Sequence, residues 1–229
     1  MLPLKDNVPT RTFPIVTVGL IAVNIIVWIW EFTGTPVDED VFHYGYYPCT
    51  LEHNCVGVVT HIHHLPWYEG VFTSMFMHGS WLHIGGNMLF LWIFGNNVED
   101  QLGEIKYLVL YFASGIAGSL LQVFINPSSP IPNLGASGAI SGVLAAYVLY
   151  FPGARVLTYI APIFLVTIRA FVFIGYWILL QAFQAFLNIG VTGGGVAFFA
   201  HVGGFAMGFV LAFLLRPTSH ADPHPGYRV

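Results

Sequence analysis

Leu134-Gly135-Ala136-Ser137-Gly138-Ala139-Ile140-Ser141-Gly142-Val143-Leu144-Ala145-Ala146-Tyr147-Val148-Leu149-Tyr150-Phe151 carries no charge along its length and opens on a serine set among small residues. A helix needs about 20 largely apolar residues to cross the hydrocarbon core of a bilayer. This run approaches that length. Polar side chains inside a membrane segment are costly, so the hydroxyl at its start needs a reason to be there. Two other stretches repeat the pattern. His201 lies a few residues into Val196–Leu215, within Ala200-His201-Val202-Gly203-Gly204, and His83 and Asn87 share one face near the start of Leu82–Val98.

The rest of the chain has the same character. Of 229 residues, 56% are apolar and only 8% charged, and the mean hydropathy is +0.72. Soluble domains carry roughly 25% charged residues, so this composition leaves a water-facing surface impossible to cover. The chain reads as an all-α, polytopic membrane protein. Its net charge of −4 gives no footing for a nucleic-acid partner.

Six stretches qualify as spans: Phe13–Trp30, Leu82–Val98, Tyr107–Ile125, Leu134–Phe151, Ala170–Leu187 and Val196–Leu215. The first is longer than a signal-peptide core and lacks a small-residue cleavage site after it, so it reads as a retained span. Val156–Ile168, bounded by Arg155 and Arg169 and interrupted by Pro162, reaches only about 20 Å as a helix at ~1.5 Å per residue. It is expected to lie along the interface. With both termini inside, Lys5, Arg11, Lys106, Arg155, Arg169, Arg216 and Arg228, all the basic residues of the chain, fall on the cytoplasmic side. Asp38, Glu39, Asp40, Glu52 and Glu69 sit in the first outer loop. The expected organisation is a cytoplasmic tail over 1–12, one six-helix membrane domain over 13–215, and a disordered cytoplasmic tail over 216–229. The expected home is a bacterial cell membrane. The outer loop, 33–81, is rich in aromatics and histidines and is expected to pack on the bundle or in the interface. Gly190-Val191-Thr192-Gly193-Gly194-Gly195 suits a mobile cap.

In this topology the second, fourth and sixth spans run in parallel, so His83, Asn87, Ser137 and His201 share one depth. A water-accessible pocket there lets Ser137 act as nucleophile with His201 as its general base. A serine in the first turn of a helix also has unsatisfied N–H groups and the positive end of the helix dipole beside it. Those donors, with the Asn87 amide and the His83 ring one turn before it, suit a developing oxyanion. No intramembrane carboxylate is available to orient His201, which makes this a dyad. Each piece has a duller reading. Gly138 with Gly142, and Gly204 with Gly208, are the small-residue pairs of ordinary helix packing. A lone membrane histidine is more often a packing or proton-relay residue than a base, and His83 with Asn87 also reads as a cross-link between helices. Joint depth, more than any single motif, favours hydrolysis.

The string Phe72-Thr73-Ser74-Met75-Phe76-Met77-His78-Gly79-Ser80-Trp81-Leu82-His83-Ile84-Gly85-Gly86-Asn87-Met88 resembles the rhomboid intramembrane serine proteases. So do Gly135-Ala136-Ser137-Gly138 and Ala200-His201-Val202-Gly203-Gly204-Phe205, in that family's order. The resemblance implies a six-helix rhomboid bundle and a Ser137/His201 dyad that cleaves single-span or other membrane-anchored substrates without a cofactor or metal. It also implies an oxyanion hole of His83, Asn87 and the Ser137 backbone N–H. Glu99-x-x-x-Gly103 matches a family pattern that is structural. Two positions depart. Glu69 and Gly70 stand where many members carry Trp-Arg, which bears on anchoring of the outer loop. Ser141 stands where many carry a tyrosine stacked on the histidine, so His201 must be held by other packing.

Cys49 and Cys55, with His43, His53, His61, His63 and His64, crowd the outer loop. Their spacing matches no regular zinc pattern, and free thiols or a small-loop disulfide are expected over a metal. Two other functions compete with the protease: a catalytically silent binder of membrane proteins on the same fold, and a small transporter or channel using the intramembrane histidines. Intact Ser137 and His201 argue against the first. The second lacks intramembrane acids and broken-helix repeats.

Overall fold

The computed structural model describes residues 1–33, 41, 43–50, 65–129, 132–189 and 196–215. Run 190–195, tail 216–229, Asp38, Glu39, Asp40, Glu52, Cys55, His53, His61, His63 and His64 lie outside the described residues. The chain is mostly helical: α1 (Ile15–Thr33), α2 (Trp67–Thr73), α3 (Trp81–Phe90), α4 (Asn96–Leu102), α5 (Glu104–Ile125), α6 (Ser137–Tyr150), α7 (Ala170–Leu187) and α8 (Phe198–Leu214). By length and composition α1, α5 and α7 are long and apolar enough to cross a membrane, while α6 and α8 are apolar but shorter. The stretch expected as the second span is composite. A π-helical turn, Leu91–Gly95, joins α3 to α4 without a break.

Two neighbouring carboxylates at the end of that composite helix hold the start of α1. Glu99 is buried and accepts from the N–H groups of Val16 (2.9 Å) and Thr17 (2.7 Å) and from the Thr17 hydroxyl (2.7 Å). These are first-turn donors that α1 cannot satisfy internally. Asp100 accepts from the Thr12 N–H at 3.0 Å and pairs with the Arg11 guanidinium at 3.1 Å. Gly103 then takes φ +78°, a left-handed conformation that costs glycine little, and the chain turns into α5. Glu99-x-x-x-Gly103 is thus a cap plus a helix stop.

The centre of the bundle is α6, packed between α5 and α8. Val143, Leu144, Ala145, Ala146 and Tyr147 of α6 are inaccessible to solvent, as are Leu110 and Tyr111 of α5. The small-residue pairs do what their spacing allows. A methyl on Gly204 would run into the Gly138 carbonyl, and one on Gly208 into the Gly142 backbone. The helices therefore meet backbone to backbone.

The all-α expectation misses one feature. A three-stranded antiparallel sheet, ordered β1-β2-β3, combines β1 (Leu2–Asp6), β2 (Arg155–Ile160) and β3 (Phe164–Arg169). Val156–Ile168 is mostly a hairpin, with Arg155 opposite Arg169 and Ile160 opposite Phe164, rather than a short helix. Its period explains why: Val156 and Thr158 are buried while Arg155 and Leu157 are exposed, the two-residue alternation of a strand. The third strand, β1, comes from the N-terminal segment expected as a tail. Asp6 there accepts from Asn97 Nδ2 (2.8 Å) and the Tyr147 hydroxyl (2.6 Å), which ties the sheet to the bundle.

The described part of the outer loop packs on the helices. Tyr46, Tyr47 and Cys49 are buried, and the Asn133 N–H donates to the Tyr46 carbonyl at 2.7 Å. Gly70 lies against Gly45 and Tyr46, a place where a large side chain would need room. Cys49 is disulfide-bonded, and Cys55 is the chain's other cysteine.

Candidate active site

Ser137 is the first residue of α6, and the turn before it explains its presentation. Gly135 takes φ +104° and donates its N–H to the Ser74 carbonyl at 2.9 Å. A side chain there would be strained by the backbone, and its Cβ would lie 2.6 Å from His83 Nε2 and 3.2 Å from Asn87 Nδ2. His83 and Asn87 of α3 therefore close directly on the loop that delivers the serine. Ser141, one turn into α6, donates its hydroxyl to the Ser137 carbonyl at 2.6 Å. The N–H groups of the first helical turn have no intrahelical acceptor.

His201 enters from α8 and is buried. Its Nε2 lies 2.7 Å from Ser137 Oγ, while its Nδ1 lies 2.7 Å from Gln181 Oε1 of α7. Trp177, one turn before Gln181, sets its ring 5.7 Å from the imidazole at a 36° tilt. These two α7 residues are the packing that holds His201, with Ser141 occupied elsewhere. Helical spacing puts them on one face. The sequence offers one signal for Gln181, an amide inside an otherwise apolar span.

A second histidine orients Asn87. His78 is buried between α2 and α3, with its backbone N–H 3.3 Å from the Glu31 carboxylate oxygens. Its Nδ1–H donates to the Phe76 carbonyl at 3.1 Å, so its Nε2 lone pair accepts from Asn87 Nδ2 at 2.9 Å. Burial, reinforced by the nearby His83, pushes the His78 pKa down to about 3, which keeps the ring neutral and able to accept. The Asn87 amide nitrogen is thereby turned toward Gly135 with one hydrogen left over. Nothing in the sequence marks His78 as the partner of Asn87, nine residues on.

His83, Asn87, Ser137, Trp177, Gln181 and His201 line one cavity of about 650 Å³ between α3 and α7. Ser80 caps α3 at the mouth, accepting from the His83 N–H at 3.2 Å. The four residues singled out by depth thus share one hollow, with an O–H···N contact at its floor. Chemically, a hydroxyl in contact with an imidazole beside N–H donors can serve nucleophilic attack and bind a developing oxyanion.

Comparison with known proteins gives the same direction. Residues 66–218 match the model of the Rhomboid domain. Rhomboid protein 1, mitochondrial, of Saccharomyces cerevisiae is 34% identical over 148 residues, 62% of this chain and 40% of that protein. RHOMBOID-like protein 1 of Arabidopsis thaliana is 34% identical over 164 residues, 71% of this chain and 38% of that protein. Presenilin-associated rhomboid-like protein, mitochondrial, of Mus musculus is 32% identical over 96 residues, 41% of this chain and 26% of that protein. The matches span two fifths or less of the length of these relatives.

Proposed function

The chain belongs to the rhomboid family, whose members are generally intramembrane serine proteases, and on that premise we propose that it is a serine endopeptidase cutting membrane-spanning segments with a Ser137/His201 pair. The observation that carries the reading is the 2.7 Å contact between Ser137 Oγ and His201 Nε2 inside a cavity within an apolar bundle. At that distance the imidazole takes the hydroxyl proton as Oγ attacks the scissile carbonyl carbon. The carbonyl oxygen becomes an oxyanion beside the first-turn N–H of Ser137, the remaining Asn87 amide hydrogen and His83. The imidazolium then gives its proton to the leaving amine as the C–N bond breaks. Water, deprotonated by the same nitrogen, releases the acyl group and regenerates the serine.

The substrate is a membrane-spanning segment locally unwound near one end, because a continuous helix protects its backbone from attack. The chain itself crosses the bilayer six times, with α3–α4 as one crossing and both termini on the cytoplasmic side, where the basic residues gather. The lipid bilayer is then the solvent of most of its surface.

The test is a reconstituted single-span substrate together with a fluorophosphonate probe. Ser137→Ala should lose labelling completely and cleavage by about 10³-fold or more, at unchanged melting temperature. Undiminished cleavage by that variant would refute the assignment.

A further inference from the structure

We propose that Gln181 is the positioning residue of the base: its side-chain carbonyl holds the proton of His201 on Nδ1 and so keeps Nε2 free to accept from Ser137. This rests on the protease reading of the same site. A neutral imidazole carries one proton, and which nitrogen bears it is set by the partners. Only the form protonated on Nδ1 can remove the serine proton through Nε2. In water the two forms interchange freely, but His201 is buried, and an N–H left without an acceptor there is costly. Gln181 Oε1, 2.7 Å from Nδ1, supplies that acceptor. Among the described residues no other hydrogen bond reaches that nitrogen.

The residue type matters. A carboxylate would do the same job and also stabilise the imidazolium, but it would bring a charge into an apolar site. An amide avoids that charge, at the cost of less help to the protonated base. The two-point hold is also geometric. Gln181 fixes the imidazole edge and Trp177 covers its face, both from one side of α7, so ring rotation about χ2 breaks one contact or the other. Such an arrangement makes Gln181 the third member of the constellation, acting on the reaction through His201.

The experiment uses the full chain in detergent micelles and proteoliposomes, as wild type, Gln181→Leu and Gln181→Glu. Gln181→Leu should melt with the wild type and leave KM unchanged, while kcat and the rate of fluorophosphonate labelling fall by about 10- to 100-fold. Gln181→Glu should restore labelling and move the acid limb of the kcat profile to higher pH, because an anion beside Nδ1 favours the imidazolium. A readout independent of activity is the ¹⁵N spectrum of histidine-labelled protein. It should place the wild-type His201 proton on Nδ1 and show the Nε2–H form appearing in Gln181→Leu. The idea fails if the wild-type proton sits on Nε2, or if Gln181→Leu labels within about threefold of wild type. Should wild type itself refuse the probe, the protease reading falls, and the ¹⁵N result still decides whether Gln181 sets the tautomer.

Discussion

One helix, α8, shows two kinds of contact. Toward α6 it presents Gly204 and Gly208, and backbone meets backbone with no room for a methyl group. Toward α7 it presents His201, held by a long side chain and an indole ring. The first contact sets the distance between the backbones that carry Ser137 and His201. The second sets only how the imidazole is turned. A rigid interface therefore places the backbones of Ser137 and His201, and an adaptable one orients the imidazole.

Substitutions on the glycine side should be the more severe. Gly204→Ala pushes a methyl into the Gly138 carbonyl one residue past the serine. Labelling by the fluorophosphonate should drop about 100-fold or more, and thermal melts in micelles should show about 1–3 kcal/mol of lost stability from overpacking. An unchanged labelling rate would mean the interface has slack that the packing does not show. Gln181→Leu, on the other side, should cost rate without stability.

Residues remote from both contacts calibrate the contrast. Glu99→Ala strips three hydrogen bonds from the start of α1. It should lower stability by about 2–3 kcal/mol, while the folded fraction labels at the wild-type rate. A fall in that rate would show that the α1 anchor reaches the site. The smallest effect belongs to Asp6. Burial raises its pKa to about 6, against the opposing hydrogen bond from Tyr147. The folded state thus holds this proton more tightly than the unfolded state, whose carboxyl titrates near 3.8. Its contribution is greatest at the acid end and declines as pH rises from about 4 to about 6, then levels off. Asp6→Asn should flatten that slope, a change on the order of 1 kcal/mol in melts taken at pH 4 and pH 7.

Much of this was legible before any coordinates. Long charge-free runs announced helices in lipid, and Gly138/Gly142 and Gly204/Gly208 announced close packing, because both are properties of a single helix repeating at a known period. The shared depth of His83, Asn87, Ser137 and His201 followed from counting residues along parallel rods. Two things were hidden. The hairpin run is short and apolar with Pro162 inside it, a pattern that fits a short helix as well as a strand pair, and the alternating burial of Val156 and Thr158 appears only in the fold. Gln181 and His78 carried chemistry only through partners far along the chain.

Composition and spacing by themselves determined that this chain is a helical membrane protein, that a serine opens one of its helices, and which glycines let another helix come near. Those are one-dimensional facts, because hydrophobic length and helical period depend on local residues alone. The tertiary structure decided which way each helix is rotated about its axis, and with it whether an amide on α7 meets a ring nitrogen on α8. A rotation of a few tens of degrees leaves hydropathy untouched and separates two atoms that must be 2.7 Å apart, so the partner of the imidazole could only be read from packing.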